Sequence, residues 1–397
     1  MELIPFPALA LRFGQALPYA IRDAEGKLLV AKGQVLQDSE AVREMIARGV
    51  WVRAVETKEY QKALAHKMDT LMHQGAALGE IIKAEADFRP ERAGTRVELG
   101  QQEAWADFLV NAASFLREPR VDDFRPRFQL LHQEALARVQ RQPDEVLMLL
   151  IFNSSLDFHQ YSARHALLSM VLAELCGRQL GLHEEEQLAL SQAALSMNIA
   201  ITATQDRLAN QIDPAADYQR KETLGHGDRS AELLFALGVR CELWLQTVRL
   251  HHEAGPGALE GRAPAERLAR LLRRIDSLGA KLSPRRSRLA LSAAAAVRSV
   301  YLDELKQPDE AGAVLVKTLG LYPPGSLVRL ANGEVGIVFK RGHSATEPWV
   351  AALLGKSGNP LSEPVPRDTR LATQAISSSL APHEMKLLVN MERLLRL

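Results

Sequence analysis

Apolar residues recur every three or four positions from residue 143 to about residue 303, and that spacing commits the stretch to packed amphipathic helices. The clearest run over Val146–Leu156, Ser162–Leu180, Glu184–Ala200, Arg229–Leu237, Leu243–His252 and Ala265–Leu282. Gly177, Gly181, Gly238 and Gly255 punctuate them. Thr223-Leu224-Gly225 precedes His226, which places that histidine near the start of a helix.

Composition agrees with a helical globular chain. The 397 residues suffice for two or three domains. Hydrophobic residues at 47% and charged residues at 24% are ordinary for such proteins, and aromatics at 5% do not favour a β-rich fold. Lys and Arg number 49 against 48 Asp and Glu, so the net charge of +1 gives no general attraction to nucleic acid or to a membrane surface. Cys176 and Cys241 each fall in a helix-like apolar segment and read as two reduced, buried thiols. That reading suits the cytoplasm. No window holds the roughly 20 apolar residues that a membrane-spanning helix needs, and Met1 to Pro7 shows no basic segment leading into an apolar run.

The flanks differ in texture. Leu28–Val30 and Trp51–Val55 have strand character, and Asp23-Ala24-Glu25-Gly26 suits a hairpin turn after Tyr19–Ile21. Ser39–Arg48 reads as a short helix stopped by Gly49. Helix formers dominate from 57 to about 140, with breaks near Phe88-Arg89-Pro90 and Glu118-Pro119; this connector is a candidate dimer interface. From Gly320 the chain turns to β: Val328–Leu330, an Asn332-Gly333 turn, Val335–Phe339, then Trp349–Leu354, with Glu384–Leu395 as a closing helix.

Chemistry is carried by His165, His226, His251, His252 and Asp276, which fall in order along the helical run. Imidazole nitrogen with carboxylate oxygen suits Zn, Fe or Mn. Taken singly, a histidine on a helix face is more often a satisfied core or surface residue than a ligand; the ordered set is what points to a metal. Asp276 is a polar position on an otherwise Leu-Leu-Ile face. Arg262, Arg267, Arg270, Arg273, Arg274, Arg285, Arg286 and Arg288 form a basic stretch, read as a solvated face whose stems cover apolar surface.

The ordered set resembles the HD-GYP family. Tyr161-Ser162-Ala163-Arg164-His165 is similar to its opening segment, which ends on the first metal histidine. His226–Leu234 resembles the segment holding a later one, His251-His252-Glu253 the two-histidine motif, and Asp276 the final metal aspartate. The Tyr322–Gly325 turn and the Asn332-Gly333-Glu334 hairpin resemble a β-rich tail that follows this domain in proteobacterial members. The resemblance covers residues 143 to about 375 and implies a helical domain whose active members hydrolyse cyclic di-GMP with two or three metal ions.

Three departures bear on that activity. Met197-Asn198 stands where the family has its His-Asp pair, whose aspartate bridges two metals; an asparagine amide has no charge with which to offset two neighbouring cations. Ile201 stands where the family has a lysine, and Ala254-Gly255-Pro256-Gly257 replaces the Gly-Tyr-Pro loop. Met197-Asn198 also reads as the continuation of a buried helix, with the asparagine hydrogen-bonded to a neighbouring histidine.

The expected fold is mainly α. It comprises a small N-terminal β-containing module (1–56), a helical connector (57–142), an HD-GYP-like helical domain (143–316) and a short β-rich C-terminal tail with a closing helix (317–397). The resemblance implies a regulatory protein of bacterial cyclic-dinucleotide signalling that acts by binding or protein interaction, with no catalytic residues at Met197 and Asn198. The alternative is a metal-dependent cyclic di-GMP phosphodiesterase. The expected cofactor is none, or a single divalent Fe, Mn or Zn. The expected partners are a signalling protein, a cyclic dinucleotide and a second copy of the chain, and no nucleic acid.

Overall fold

The computed structural model describes residues 3–6, 13–14, 17, 19–24, 26, 28–30, 34–37, 39–53, 101–156, 158–385 and 389–397. The first half of the connector, 57–100, lies outside them. The chain divides into two compact units, Met1–Asn111 and Ala112–Leu397.

The first unit holds a four-stranded antiparallel sheet of β1 (Leu3–Pro5), β2 (Ile21–Arg22), β3 (Leu28–Val30) and β4 (Trp51–Arg53), in the order β1-β4-β2-β3. Helix α1 (Glu40–Ala47) is capped by the Ser39 hydroxyl, which accepts from the Val42 amide at 3.4 Å. Gly49 leaves the helix at φ 92°. Leu17, Tyr19, Ile21, Val30, Leu36, Val50 and Val52 form its core. The anticipated strands and helix are present; β1, with only three residues and a proline, carried no pattern that stood out.

Helix α2 (Gln101–Arg117) spans the boundary between the units, and α3 (Phe124–Arg141) follows the break at Glu118-Pro119. Beyond them lie α4 (Pro143–Leu156), α5 (Tyr161–Leu180), α6 (Glu184–Ser196), α7 (Thr202–Asn210), α8 (Asp217–Thr223), α9 (His226–Ala236), α10 (Glu242–Leu250), α11 (Pro264–Leu282), α12 (Ala293–Tyr301) and α13 (Glu310–Leu319). Helix α5 is buried on nearly every side, which marks it as the centre of the bundle. It packs against α4, α6, α11 and α13, while α10 bridges α6, α9 and α11. Asp206 fixes the start of α5: its Oδ1 accepts from the Ser162 amide at 2.9 Å and its Oδ2 from Arg117 at 2.9 Å.

The helix expected to run through Met197-Asn198 does not. α6 ends at Ser196, and a 3-10 turn (Ile199–Ile201) leads into α7. Asn198 adopts φ −106° and ψ 13°, outside the helical basin. The break is held from outside the segment, by the Ser230 hydroxyl on the Ala200 amide and by Trp244 Nε1 donating to Ser196 Oγ at 2.9 Å.

The C-terminal sheet is antiparallel in the order β8-β7-β6-β5-β9. β5 (Leu327–Leu330) and β6 (Val335–Lys340) form the hairpin expected from Asn332-Gly333, with Gly333 at φ 89°. β7 (Trp349–Leu354) is where the apolar run placed it. β8 (Pro360–Asp368) and β9 (Ile376–Leu380) were not legible, because polar and proline residues dominate two edge strands. The anticipated long closing helix is instead a 3-10 turn at Pro382–Glu384 and a single turn, α14 (Met391–Leu394). Cys176 is buried as expected; Cys241 is exposed, because it sits at the N-cap of α10. Among the described residues no helix is long and apolar enough to cross a membrane.

The basic stretch is not a solvated face throughout. Arg270 is fully buried and pairs with the equally buried Asp309 at 2.8 Å, and Arg274 reaches Asp309 at 3.2 Å. No local pattern reports this, because Asp309 lies at the N-cap of α13.

Elsewhere in the bundle, His132 on α3 is buried, stacks on Phe128 and lies 2.8 Å from Ser191 Oγ. Ser191 donates to the Leu188 carbonyl, so the imidazole donates to the hydroxyl. Burial pushes His132 down from 6.5 to about 4. The folded chain therefore keeps it neutral where the unfolded chain binds a proton. The stability this confers is complete above about pH 6.5 and is lost as pH falls towards 4, by at most about 3 kcal/mol. His132→Gln removes that titration. Denaturant titrations at several pH values should show the variant less stable than wild type at pH 7 and the gap narrowing towards pH 4.

Candidate metal centre

Four helices bring the five residues together. His165 lies one turn into α5, His226 opens α9, His251 and His252 follow the last turn of α10, and Asp276 lies on α11. His226, His251 and His252 offer ligand atoms that all lie within 4.8 Å of one another. Donors about 2.1 Å from one tetrahedral ion stand about 3.4 Å apart; the two Nε2 atoms of His226 and His252, at 3.2 Å, already stand at that spacing, and the widest pair closes by at most about 1.4 Å. The ring centroids are 5.0 Å apart for His226 and His251, 4.7 Å for His226 and His252, and 4.0 Å for His251 and His252.

Local backbone fixes two tautomers. His226 Nδ1 donates to the Thr223 carbonyl at 2.8 Å, and His251 Nδ1 donates to the Val248 carbonyl at 2.6 Å. A carbonyl only accepts, so each Nδ1 carries the proton and each Nε2 presents its lone pair. His226 Nε2 faces His252 Nε2 at 3.2 Å. His251 Nε2 is buried and, among the described residues, has no hydrogen-bond partner. An unused lone pair at that depth is costly unless something electrophilic meets it.

Burial keeps the cluster neutral. It pushes His251 down to about 3, with the neighbouring imidazoles adding to the effect, and it lowers His226 as well. His252 stands at the exposed rim, yet packing and then the Arg273 charge lower it too. Neutral imidazole is the form that ligates. Burial alone would raise the Asp276 carboxyl, but the His165 hydrogen bond and the surrounding histidines hold it well below the usual carboxylate range. Its Oδ1 lies 2.8 Å from His165 Nε2, and the Tyr161 ring stacks parallel on His165.

Two glycines make room. A Cβ on Gly227 would stand 2.7 Å from the Arg249 carbonyl oxygen, so the start of α9 reaches the end of α10 only without a side chain there. A Cβ on Gly279 would meet the His165 ring at 2.9 Å.

Asn198 is buried at the break beyond α6, in a segment tied to α9 and α10, the helices that carry His226 and lead into His251. Its Nδ2 has no partner among the described residues, so the expected hydrogen bond from this amide to a histidine is absent. Ile201 is buried and apolar. In place of the family's loop, Arg262 closes residues 255–258, donating to the carbonyls of Gly255, Pro256 and Ala258. The donor set fits one divalent ion at the three imidazoles, with Asp276 supplying negative charge alongside. Asn198 offers no anionic oxygen with which to bridge two cations.

No protein-family model matches the chain. Cyclic di-GMP phosphodiesterase PA4108 of Pseudomonas aeruginosa is 27% identical over 335 residues, which cover 80% of this chain and 77% of that protein. A solved structure, Bd1817, a HDG"Y"P protein from Bdellovibrio bacteriovorus, superposes with a TM-score of 0.43 at 13% identity over 80% of this chain and 99% of its own. The chain is thus similar over four-fifths of its length to a cyclic di-GMP phosphodiesterase. More specifically, the chain carries an HD-GYP-like domain.

Gly227→Ala should destabilise the second unit by about 1–3 kcal/mol, because a backbone carbonyl cannot step aside. Thermal melting measures that cost.

Proposed function

We propose that the chain is a regulatory protein of bacterial cyclic-dinucleotide signalling whose HD-GYP-like domain holds one divalent cation, Fe, Mn or Zn, and does not turn over cyclic di-GMP. It acts by binding the dinucleotide or a signalling protein. The four segments 1–56, 57–142, 143–316 and 317–397 then divide input, connection, cation binding and a β tail. The observation that carries this reading is the histidine cluster; Asn198, where the resemblance implies a bridging aspartate, supports it.

A divalent ion at the cluster supplies Lewis-acid polarisation of a phosphate oxygen when bound. His226, His251 and His252 hold it through nitrogen. Asp276 offsets part of its charge, and His165 orients that carboxylate. Position 198 contributes a neutral amide and position 201 an alkyl group, so neither a second cation nor the developing phosphate charge is neutralised there. The second reading, a metal-dependent cyclic di-GMP phosphodiesterase, draws on the printed activity of the Pseudomonas relative.

Elemental analysis and a cyclic di-GMP hydrolysis assay with added Mn or Fe separate the two. We expect about one ion per chain and no linear product. Two ions with turnover that His251→Ala abolishes would establish the phosphodiesterase instead. The double substitution Met197→His with Asn198→Asp should raise the metal content above that of the wild type, read by elemental analysis.

A further inference from the structure

His252 is held differently from its two neighbours. His226 and His251 are buried and each locks its ring through Nδ1 to a backbone carbonyl. His252 is exposed at the rim, and its ring nitrogen meets His226. Its backbone, by contrast, is gripped: Arg273 Nη1 on α11 donates to the His252 carbonyl at 2.7 Å and to the Ala254 carbonyl at 3.2 Å.

Arg273 is itself held by a distant segment. Its Nε pairs with Glu304 Oε1 at 2.9 Å. Glu304 also takes Arg270 Nη1 at 3.0 Å, and Arg270 in turn reaches the Ala254 carbonyl at 3.3 Å and buried Asp309 at 2.8 Å. Arg274 donates to the carbonyls of Val300, at 2.6 Å, and Leu302. The strap 302–309 is thus anchored at its end by Asp309, while Glu304 is one-third exposed between the exposed side chains of Leu302 and Leu305. Two arginines, Arg270 and Arg273, and the carbonyls of His252 and Ala254 connect this surface to the cluster.

We propose that Arg273 and Glu304 are positioning residues for His252, and that the strap 302–309 thereby sets how tightly the histidine cluster holds a divalent cation. The proposal rests on the cation-binding reading above. Arg273 fixes the carbonyl end of a residue whose ring, among the described residues, has no carbonyl lock of its own. Glu304 fixes the direction of Arg273 and neutralises its charge beside the cluster. A partner that displaced the strap would release His252 without touching the pocket.

Titration of the full chain with cobalt(II) chloride, followed by calorimetry and by visible absorption of the bound ion, tests this. Arg273→Ala should weaken cobalt binding by about tenfold and alter the absorption spectrum. Arg273→Lys, which keeps the charge and a donor, should recover most of the affinity. Glu304→Gln should weaken binding in the same direction as Arg273→Ala and by less. Arg240→Ala, whose guanidinium serves the Phe235 and Val239 carbonyls on another surface, should leave the constant unchanged. Wild-type affinity and spectrum in both Arg273→Ala and Glu304→Gln, even with a lowered melting temperature, would overturn the proposal and leave a purely structural network. Should Arg273→Ala not fold, Arg273→Lys and Glu304→Gln decide: wild-type binding in Glu304→Gln overturns it. A wild-type chain that takes up no cobalt removes the cation reading itself and the proposal with it.

Discussion

Three imidazoles lie this close together only while each stays neutral, with a single ring proton. Their rings lie 4.0 to 5.0 Å apart, a separation at which three imidazolium ions would repel strongly. Burial enforces neutrality at His226 and His251, and the carbonyls of Thr223 and Val248 decide which nitrogen keeps its proton. Two lone pairs are thereby directed before any ligand arrives. The bundle serves this arrangement: α9 comes against α10 at Gly227, and α5 presses its histidine against α11 at Gly279.

Helix α11 ties the pocket to the rest of the second unit. One set of its residues is apolar and fills the core, through Leu268, Leu271, Leu272, Ile275 and Leu278. Asp276 turns to the histidines. Arg270, Arg273 and Arg274 turn to the carboxylates and carbonyls of the segments around 252–254 and 300–309. A buried guanidinium is tolerated only with its charge matched and its donors satisfied, and Asp309 with Glu304 provides the match. Such a network contributes little net stability in general; what it fixes here is the relative placement of the loop after His252 and the strap before α13.

Much of this was legible along the chain. The helical spacing from 143 to about 303 located the bundle, the Asn332-Gly333 turn located the C-terminal hairpin, and Gly225 before His226 located the start of α9. The five candidate residues could be named from their order along the helices, and chiefly from the family resemblance that order carries. Their convergence could not be read, since it depends on how four helices cross. β8 and β9 stayed hidden for a related reason: an edge strand is defined by the neighbour it pairs with, and its own residues are polar. The interruption at Asn198 was missed because nothing local breaks that helix; it is held open by Ser230 and Trp244 from elsewhere in the fold.

By itself, the sequence determined the class of structure and which side chains are able to ligate a cation; that position 198 stands where an aspartate is expected follows only from the family resemblance. Class and ligating chemistry follow from periodicity and from single side chains, which a linear string records in full. Tertiary structure alone decided which imidazole nitrogens face one another, that Asn198 Nδ2 has no partner among the described residues, and that Arg270 is a core residue rather than a surface one. Each of those depends on an atom contributed by a segment distant in sequence, and burial and hydrogen bonding are properties of such neighbours rather than of the residue itself.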